Sequence, residues 1–143
     1  MKIHIVTIGK PKLAYARVGW DEYLGRLQRL HTVRVTQLAD KYASDASKIA
    51  EATAGTFTVA LEIEGEQLGS EKLAEFLKKR QLEAREISFI IGGPEGLPPS
   101  IRGQADYRWS LGPLTLPHDL AMVVTLEALY RASTINASLP YHK

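Results

Sequence analysis

The sequence predicts a single α/β domain built on a mostly parallel sheet with helices on both faces. Along its 143 residues the apolar positions switch repeatedly between a period of two and a period near 3.6, the signatures of strands and of helices. Strands and helices alternate, which is the order of a parallel sheet covered on both sides. No linker, internal repeat or low-complexity tract interrupts the sequence, so one domain spanning residues 1–143 is expected.

Each element has its own signal. Strands are expected where apolar residues alternate with polar ones or run together, at residues 2–8, Val33–Val35, Phe57–Ile63, Ile87–Ile91 and the brief run Trp109–Leu111. Helices are expected from Pro11 through Leu27, between Ser44 and Gly55, from the cap Ser70 through Leu77, from Pro98 onwards, and from about His118 to Asn136.

The composition excludes several classes of function. There is no cysteine, which removes disulfides, thiolate nucleophiles and cysteine-based zinc sites and fits a cytoplasmic protein. The four histidines are scattered without the spacing of metal ligands. The opening apolar run is too short for a signal peptide, and no stretch approaches the ~20 apolar residues of a membrane span. No metal and no membrane association are therefore expected.

The net charge of +2 conceals an uneven distribution. Residues 1–60 carry nine Lys/Arg and five Asp/Glu, whereas residues 61–106 carry six and nine. The amino-terminal part is therefore modestly basic. Its positive side chains, Arg17 among them, stand among aromatic residues, as in proteins that contact nucleic-acid phosphates. A solvated helix exterior with aromatic residues in the core explains the same pattern.

Three segments follow predicted strands, where ligands of parallel sheets bind: 61–65, 91–96 and 111–116. The run "GGPEG" in the second segment matches neither dinucleotide nor P-loop phosphate motifs, and the chain has no G-x-S-x-G nucleophile elbow. Bare backbone at Gly92 and Gly93 allows close approach of a ligand or another piece of chain, although an isolated Gly-Gly is more often a plain turn. A ligand held by backbone groups and apolar walls is predicted.

Four motifs occur in this order: "IIGGPEGL", "WSLGPLTLPHDL", "LEALYRA" and the terminal "PYHK". Together they resemble the bacterial ribosomal large-subunit pseudouridine N3-methyltransferases, the RlmH type of the SPOUT superfamily, and the likeness covers nearly the whole chain. The resemblance implies a SPOUT-type fold with a carboxyl-terminal trefoil knot, an arrangement almost absent among proteins. It also implies a homodimer, S-adenosylmethionine as cofactor, and 23S rRNA within the ribosome as substrate.

The family's cofactor contacts carry over by position. They fall on Leu61, Gly92, Gly93, Leu111, Gly112, Pro113, Leu114, Thr115 and Leu116. S-adenosylmethionine has no phosphate and carries a positive sulfonium, so backbone groups and apolar flanks suit it better than a lysine clamp. The resemblance and the residue types therefore agree on the cofactor.

Methylating N3 of a pseudouridine requires a group that takes up a weakly acidic imide proton. The candidate catalytic residues are His118, Tyr141 and His142, and the candidate RNA-binding residues are Arg17, Arg131 and Lys143. His118 could equally cap or pack the helix that it begins. Residues 141–143 are expected either to form an arm over a catalytic pocket or to be a frayed terminus. Arg131 could contact RNA or pair with an acidic side chain.

Two alternatives stay open. A non-catalytic RNA- or ribosome-binding protein could retain the same fold, although the intact cofactor motifs and tail argue against it. A flavodoxin-like nucleotide-binding domain would need a phosphate loop rich in Ser and Thr after the first strand, which "TIGKPK" does not supply.

Overall fold

The computed structural model describes residues 1–83 and 85–143. Within them the strands are β1 (Lys2–Ile8), β2 (Thr32–Leu38), β3 (Phe57–Gln67), β4 (Ile87–Ile91) and β5 (Tyr107–Ser110). They form one sheet in the order β2-β1-β4-β3-β5, and each of these neighbouring pairs is parallel. The predicted parallel sheet is confirmed.

Helices cover both faces of the sheet, as predicted. They are α1 (Ala14–Leu30), α2 (Ala46–Ala52), α3 (Ser70–Gln81), α4 (Pro99–Gln104) and α5 (His118–Asn136), with one 3-10 turn at Asp40–Tyr42. On one face α1 and α3 each pack against α5, and on the other α2 packs against α4. None of the helices in the described residues is long and apolar enough to cross a membrane.

Two hydrophobic layers hold the helices to the sheet. In the first, Trp20, Leu77 and Leu126 of α1, α3 and α5 pack on one set of alternating strand residues. In the second, Ile49 of α2 and Ile101 of α4 pack on the other set. Because successive strand side chains point to opposite faces, the near-continuous apolar runs of β1 and β4 supply both layers.

Ser70 is predicted as the cap of α3, but Gly69 occupies the cap position and Ser70 is the first helical residue. The Gly69 carbonyl accepts from the Leu73 N–H at 2.9 Å, so the first backbone bond of the helix already begins one residue earlier. The prediction based on Ser70 therefore placed the start of α3 one residue too late.

Strand β3 is longer than predicted, because it contains a bulge. Leu61 and Glu66 both pair with Trp109 of β5, so residues 62–65 are extra on the β3 side. A β-carbon on Gly65 would lie 2.7 Å from the Arg108 carbonyl carbon, so the bulge is pressed against the neighbouring backbone. The predicted strand end at 61–65 is therefore a bulge within a strand, and bulges re-aim side chains beside functional sites.

His31, directly after α1, connects the ends of α1 and α5. Its Nε2 lies 2.8 Å from the Ser133 hydroxyl, and burial, followed by the nearby amino-terminal ammonium, lowers the pKa of His31 from 6.5 to about 4. The unfolded chain therefore takes up this proton at a higher pH than the folded chain. We expect the free energy of unfolding to fall as the pH drops from about 6.5 to about 4, by up to about 3 kcal/mol from this group.

Urea unfolding at several pH values in that window measures this effect. Other groups also titrate there, so the informative quantity is the difference between the protein and a His31→Gln variant, in which the amide can still bond Ser133 but does not titrate. We expect the variant to have a shallower slope. The same slope in both proteins would show that His31 gains its proton equally in the folded and unfolded states.

Candidate active site

A cavity of about 450 Å³ opens at the carboxyl edge of the sheet. Residues from three segments line it, the start of the β3 bulge, the turn after β4 and the loop after β5, together with Arg102 of α4 and His118 of α5. Eight of the nine predicted cofactor residues lie on its walls: Leu61, Gly92, Gly93, Leu111, Gly112, Leu114, Thr115 and Leu116. Pro113 is exposed and outside this lining. The structure thus brings the three predicted segments together around one space.

The glycine turn, residues 92–97, forms one wall of the cavity and folds back on itself. The Gly96 N–H donates to the Gly93 carbonyl at 2.9 Å, and Gly96 has a φ of +85°. A β-carbon on Gly92 would lie 2.8 Å from the Gly96 carbonyl carbon and 2.9 Å from the Leu97 nitrogen. One on Gly93 would meet Ile8 and Ala43 side chains at ordinary distances of 3.5 and 3.6 Å. Gly92 is therefore needed for the close approach of the chain at residues 96 and 97, one of the alternatives expected for this bare backbone, whereas a β-carbon on Gly93 meets no such crowding.

The 111–116 loop forms another wall of the cavity. Ser110, only 2% exposed, fixes its start, because its hydroxyl donates to the Gly112 carbonyl and accepts from the Gly112 N–H, each at 3.1 Å. Gly112 has a φ of +134°, in the region where a side chain is strained. Leu114 is 77% exposed and lies on the cavity lining, so the cavity has an apolar rim.

His118 lines the cavity at the first residue of α5. Its Nε2 donates to the Ile8 carbonyl at the end of β1, at 2.8 Å, while Pro117 occupies the helix cap position. His118 therefore ties α5 to the sheet and does not cap its own helix. In the neutral ring this bond leaves Nδ1 as the acceptor nitrogen.

Asp119, which sequence reasoning missed, holds α1 beside the cavity. This carboxylate is 8% exposed, and its Oδ2 accepts from the Lys12 and Leu13 N–H groups at 2.9 and 2.6 Å. Because Asp119 takes these N–H groups, α1 begins at Ala14, three residues after the predicted start at Pro11. The sequence signal that could have identified Asp119 is its position as an acidic residue in the first turn of a helix.

The tail, residues Tyr141–Lys143, packs against the other end of α5. The Tyr141 hydroxyl donates to Glu127 at 3.1 Å, and burial, then hydrogen bonding, raises the pKa of this phenol. His142 Nδ1 lies 3.3 Å from an Arg131 nitrogen, and Arg131 is itself paired with Glu127 at 3.0 Å. The tail is therefore anchored, and Arg131 makes the intrahelical ion pair that was one of its two expected roles.

Within one chain the predicted catalytic residues do not meet. His118 begins α5, and the tail contacts that helix at Glu127 and Arg131, nine and thirteen residues later, which is about 14 to 20 Å along a helix. Of the predicted RNA-binding residues, Arg17 lies near the cavity end of α1, where its guanidinium donates to the Lys12 carbonyl. Arg131 and the exposed Lys143 lie at the tail end. The candidate residues thus form two groups, one at the start of α5 and one along its carboxyl-terminal half.

Glu62, the first residue of the bulge, is a second functional candidate that the sequence did not single out. Its side chain is 7% exposed, and its carboxylate oxygens lie 3.7 Å from an Arg102 nitrogen and 3.8 Å from an Arg108 nitrogen. These distances are too long for hydrogen bonds. In the described part of the chain, three or more His, Cys, Asp or Glu side chains are nowhere grouped closely enough to hold a metal ion.

A parallel α/β sheet with a largely apolar cavity at its carboxyl edge defines a domain that binds a small organic ligand. The chain belongs to the SPOUT methyltransferase family, since the family model described as "Predicted SPOUT methyltransferase" matches residues 1–142. This membership confirms the resemblance and establishes the protein as a methyltransferase.

Several relatives match along their whole length. The chain is 50% identical to the ribosomal RNA large subunit methyltransferase H of Deinococcus radiodurans over 145 residues, covering 100% of this chain and 99% of the relative. Identity to the protein of the same name from Deinococcus deserti is 46%, with both chains covered completely. The Acinetobacter baylyi protein of that name is 37% identical, covering 100% of this chain and 99% of the relative.

Two solved structures share the fold. A probable methylase family protein from Haemophilus influenzae superposes with a TM-score of 0.60 at 14% identity, covering 99% of this chain and 70% of the other. TrmJ from Z. mobilis gives a TM-score of 0.53 at 12% identity, covering 93% of this chain and 70% of the other. At these identities the likeness concerns the fold alone.

Proposed function

We propose that this methyltransferase transfers the methyl group of S-adenosylmethionine to N3 of a pseudouridine in 23S rRNA of the large ribosomal subunit. The observation that carries the proposal is the match over the entire chain, at 50% identity, to a relative named for methylation of large-subunit rRNA. The proposed location is the cytoplasm, where ribosomes are assembled.

The cavity suits S-adenosylmethionine. Its volume of about 450 Å³ lies in the range of small-ligand sites, and Leu61, Leu111 and Leu116 provide apolar flanks for a planar base. Residues of the glycine turn and of the 111–116 loop supply backbone donors and acceptors, while buried Glu62 provides a negative charge near a cofactor that is positive. The donor set thus fits a cationic nucleoside without phosphate.

When bound, S-adenosylmethionine supplies a methyl group on a positive sulfur, which becomes a neutral thioether after transfer. This chain's own residues must hold the base in line with that methyl and accept the N3 proton. His118 is one candidate acceptor, because it lines the cavity and its Nδ1 carries a lone pair in the neutral ring. His142 is the other, with Tyr141 placed to contact the base and Lys143, Arg17 and Arg131 to contact the RNA backbone.

The proposal includes a homodimer and a carboxyl-terminal trefoil knot, both implied by the family. In support of the knot, the glycine turn and the 111–116 loop line the same cavity. In support of the dimer, Val124 of α5 is only partly buried although other residues of this helix are fully buried. On neighbouring α1, Tyr15 and Val18 are 51% and 70% exposed. A helix that is apolar on more than one side suits a second packing partner.

The proposed dimer predicts the effect of a charge on this face. We expect the protein to sediment as a dimer, and Val18→Glu to weaken association by about tenfold or more, the scale of losing a central apolar contact. Leu82→Glu is the matched control, because Leu82 is also exposed, at 85%, but lies at the end of α3. A monomeric mass for the unaltered protein at micromolar concentration would contradict the proposed dimer.

Transfer of a labelled methyl group tests the proposed reaction. A single small domain with a modest basic face has little surface for recognising RNA by sequence, so we expect assembled large subunits to be methylated at least about tenfold faster than naked 23S rRNA. Mapping of the label then identifies the nucleotide and the position. Equal rates on both substrates would contradict recognition of the ribosome. Binding to subunits without methyl incorporation would favour the non-catalytic alternative.

A further inference from the structure

Two residues that line the cavity each have an unsatisfied buried polar atom. Three buried side-chain nitrogen or oxygen atoms lack a hydrogen-bond partner within the described residues, and two of them are Glu62 Oε2 and Arg102 Nε. Both residues line the cavity. Buried polar groups in native proteins are nearly always paired, so an unpaired one calls for an explanation such as an absent ligand. Two in one cavity, an acceptor and a donor, indicate a ligand that donates to one and accepts from the other.

The position of Glu62 follows from the bulge in β3. Its side chain is more than nine-tenths buried, yet the nearest arginine nitrogens lie at 3.7 and 3.8 Å, beyond hydrogen-bond distance. The two arginines offset the charge of the carboxylate without taking up its lone pairs. Glu95 also lines the cavity but is exposed, so water can satisfy it. Glu62 is therefore the acid of this cavity that needs a partner.

Resting on the proposed function, we propose that Glu62 and Arg102 bind the charged amino-acid end of S-adenosylmethionine. This end carries an ammonium and a carboxylate on one carbon atom, the donor and acceptor that the two unpaired atoms require. Glu62 accepts from the ammonium, and Arg102 donates to the carboxylate. Adenine and ribose are uncharged, and the apolar and backbone walls formed by Leu61, Leu111 and the glycine turn suit them.

Comparing the binding of two nucleosides distinguishes this assignment from its alternatives. S-adenosylhomocysteine has the amino-acid end, whereas 5′-methylthioadenosine keeps adenine, ribose and sulfur without it. We expect Glu62→Gln and Arg102→Gln each to weaken calorimetric binding of S-adenosylhomocysteine by about tenfold or more, the scale of a charge-assisted hydrogen bond. Binding of 5′-methylthioadenosine is expected to change by less than about twofold.

Arg108→Gln is the matched control, because Arg108 pairs with the same carboxylate but lies outside the cavity lining. We expect it to leave the affinity for both compounds within about twofold. The unfolding temperature of the ligand-free protein is expected to stay the same or to rise in Glu62→Gln, because an incompletely paired buried charge is removed.

If the substitutions weaken binding of both nucleosides equally, Glu62 and Arg102 contact the nucleoside half or support the fold. That result would overturn the assignment while leaving the cofactor site in place. A lower unfolding temperature together with lost binding of both compounds would overturn it in the same way. Failure of the unaltered protein to bind either nucleoside would instead overturn the proposed function, and this assignment with it.

Discussion

Replacing Gly92 by valine is expected to abolish binding of S-adenosylmethionine, whereas replacing Gly93 by alanine is expected to preserve it. The difference follows from what each new side chain would meet. At Gly92 the added atoms collide with the Gly96 and Leu97 backbone at under 3 Å, and backbone in a closed turn cannot move aside cheaply. At Gly93 a methyl group finds ordinary contacts with Ile8 and Ala43.

Calorimetry with S-adenosylmethionine measures the effect. We expect Gly92→Ala to weaken binding by at least about tenfold, since overpacking a tight site costs roughly 1–3 kcal/mol, and Gly92→Val to remove it. Gly93→Ala, the matched control on the same turn, should stay within about twofold. Neither NAD nor ATP is expected to bind, because the cavity edge carries no phosphate-binding motif. A folded Gly92→Val protein with unchanged affinity would refute the place of the glycine turn in the site.

The order of strands and helices was predictable because the apolar patterns of this chain are strong. Strand β4 is a five-residue run that is fully buried, and such runs flanked by helical periodicity belong to the interior of parallel sheets. The cavity segments followed from the same reasoning, since the carboxyl ends of parallel strands share one edge. The sequence therefore suffices to place the 111–116 loop at a ligand site.

The bulge in β3 could not be predicted, because it depends on pairing with β5, some forty residues later. The sequence "LEIEGEQ" alternates as an ordinary strand would. Without knowledge of the pairing with β5, this pattern predicts that Glu62 is an exposed acidic residue. The role of Gly92 was inaccessible for a related reason. Its crowding arises from the path of the backbone four residues further on, a feature of turn geometry that residue types do not specify.

Deleting residues 141–143 is expected to lower methyl transfer by about a hundredfold or more, the scale of losing a general base. The structure argues against a frayed terminus, because the Tyr141 ring packs on Tyr130 with centroids 4.8 Å apart and its hydroxyl bonds Glu127. Affinity for S-adenosylmethionine should change little, since none of residues 141–143 lines the cavity of its own chain. A His142→Gln variant, which keeps the Tyr141 anchor, separates loss of the base from loss of packing. Full activity of the shortened protein would show that the tail has no catalytic role.

The same deletion tests whether the tail serves the partner's cavity. The cavity lies at the start of α5 and the tail packs on residues from Glu127 to Arg131 of the same helix, so a dimer that joins two α5 helices in opposite directions would bring each tail towards the other cavity. A mixed dimer contains one chain without the tail and one chain with Gly92→Val. If tails act in trans, the shortened chain keeps a working cavity and receives the tail of the Gly92→Val chain. One of the two sites is then complete, so the mixed dimer should have about half of the activity of the unaltered dimer. If tails act within their own chain, neither site is complete, and the mixed dimer should be as inactive as either parent.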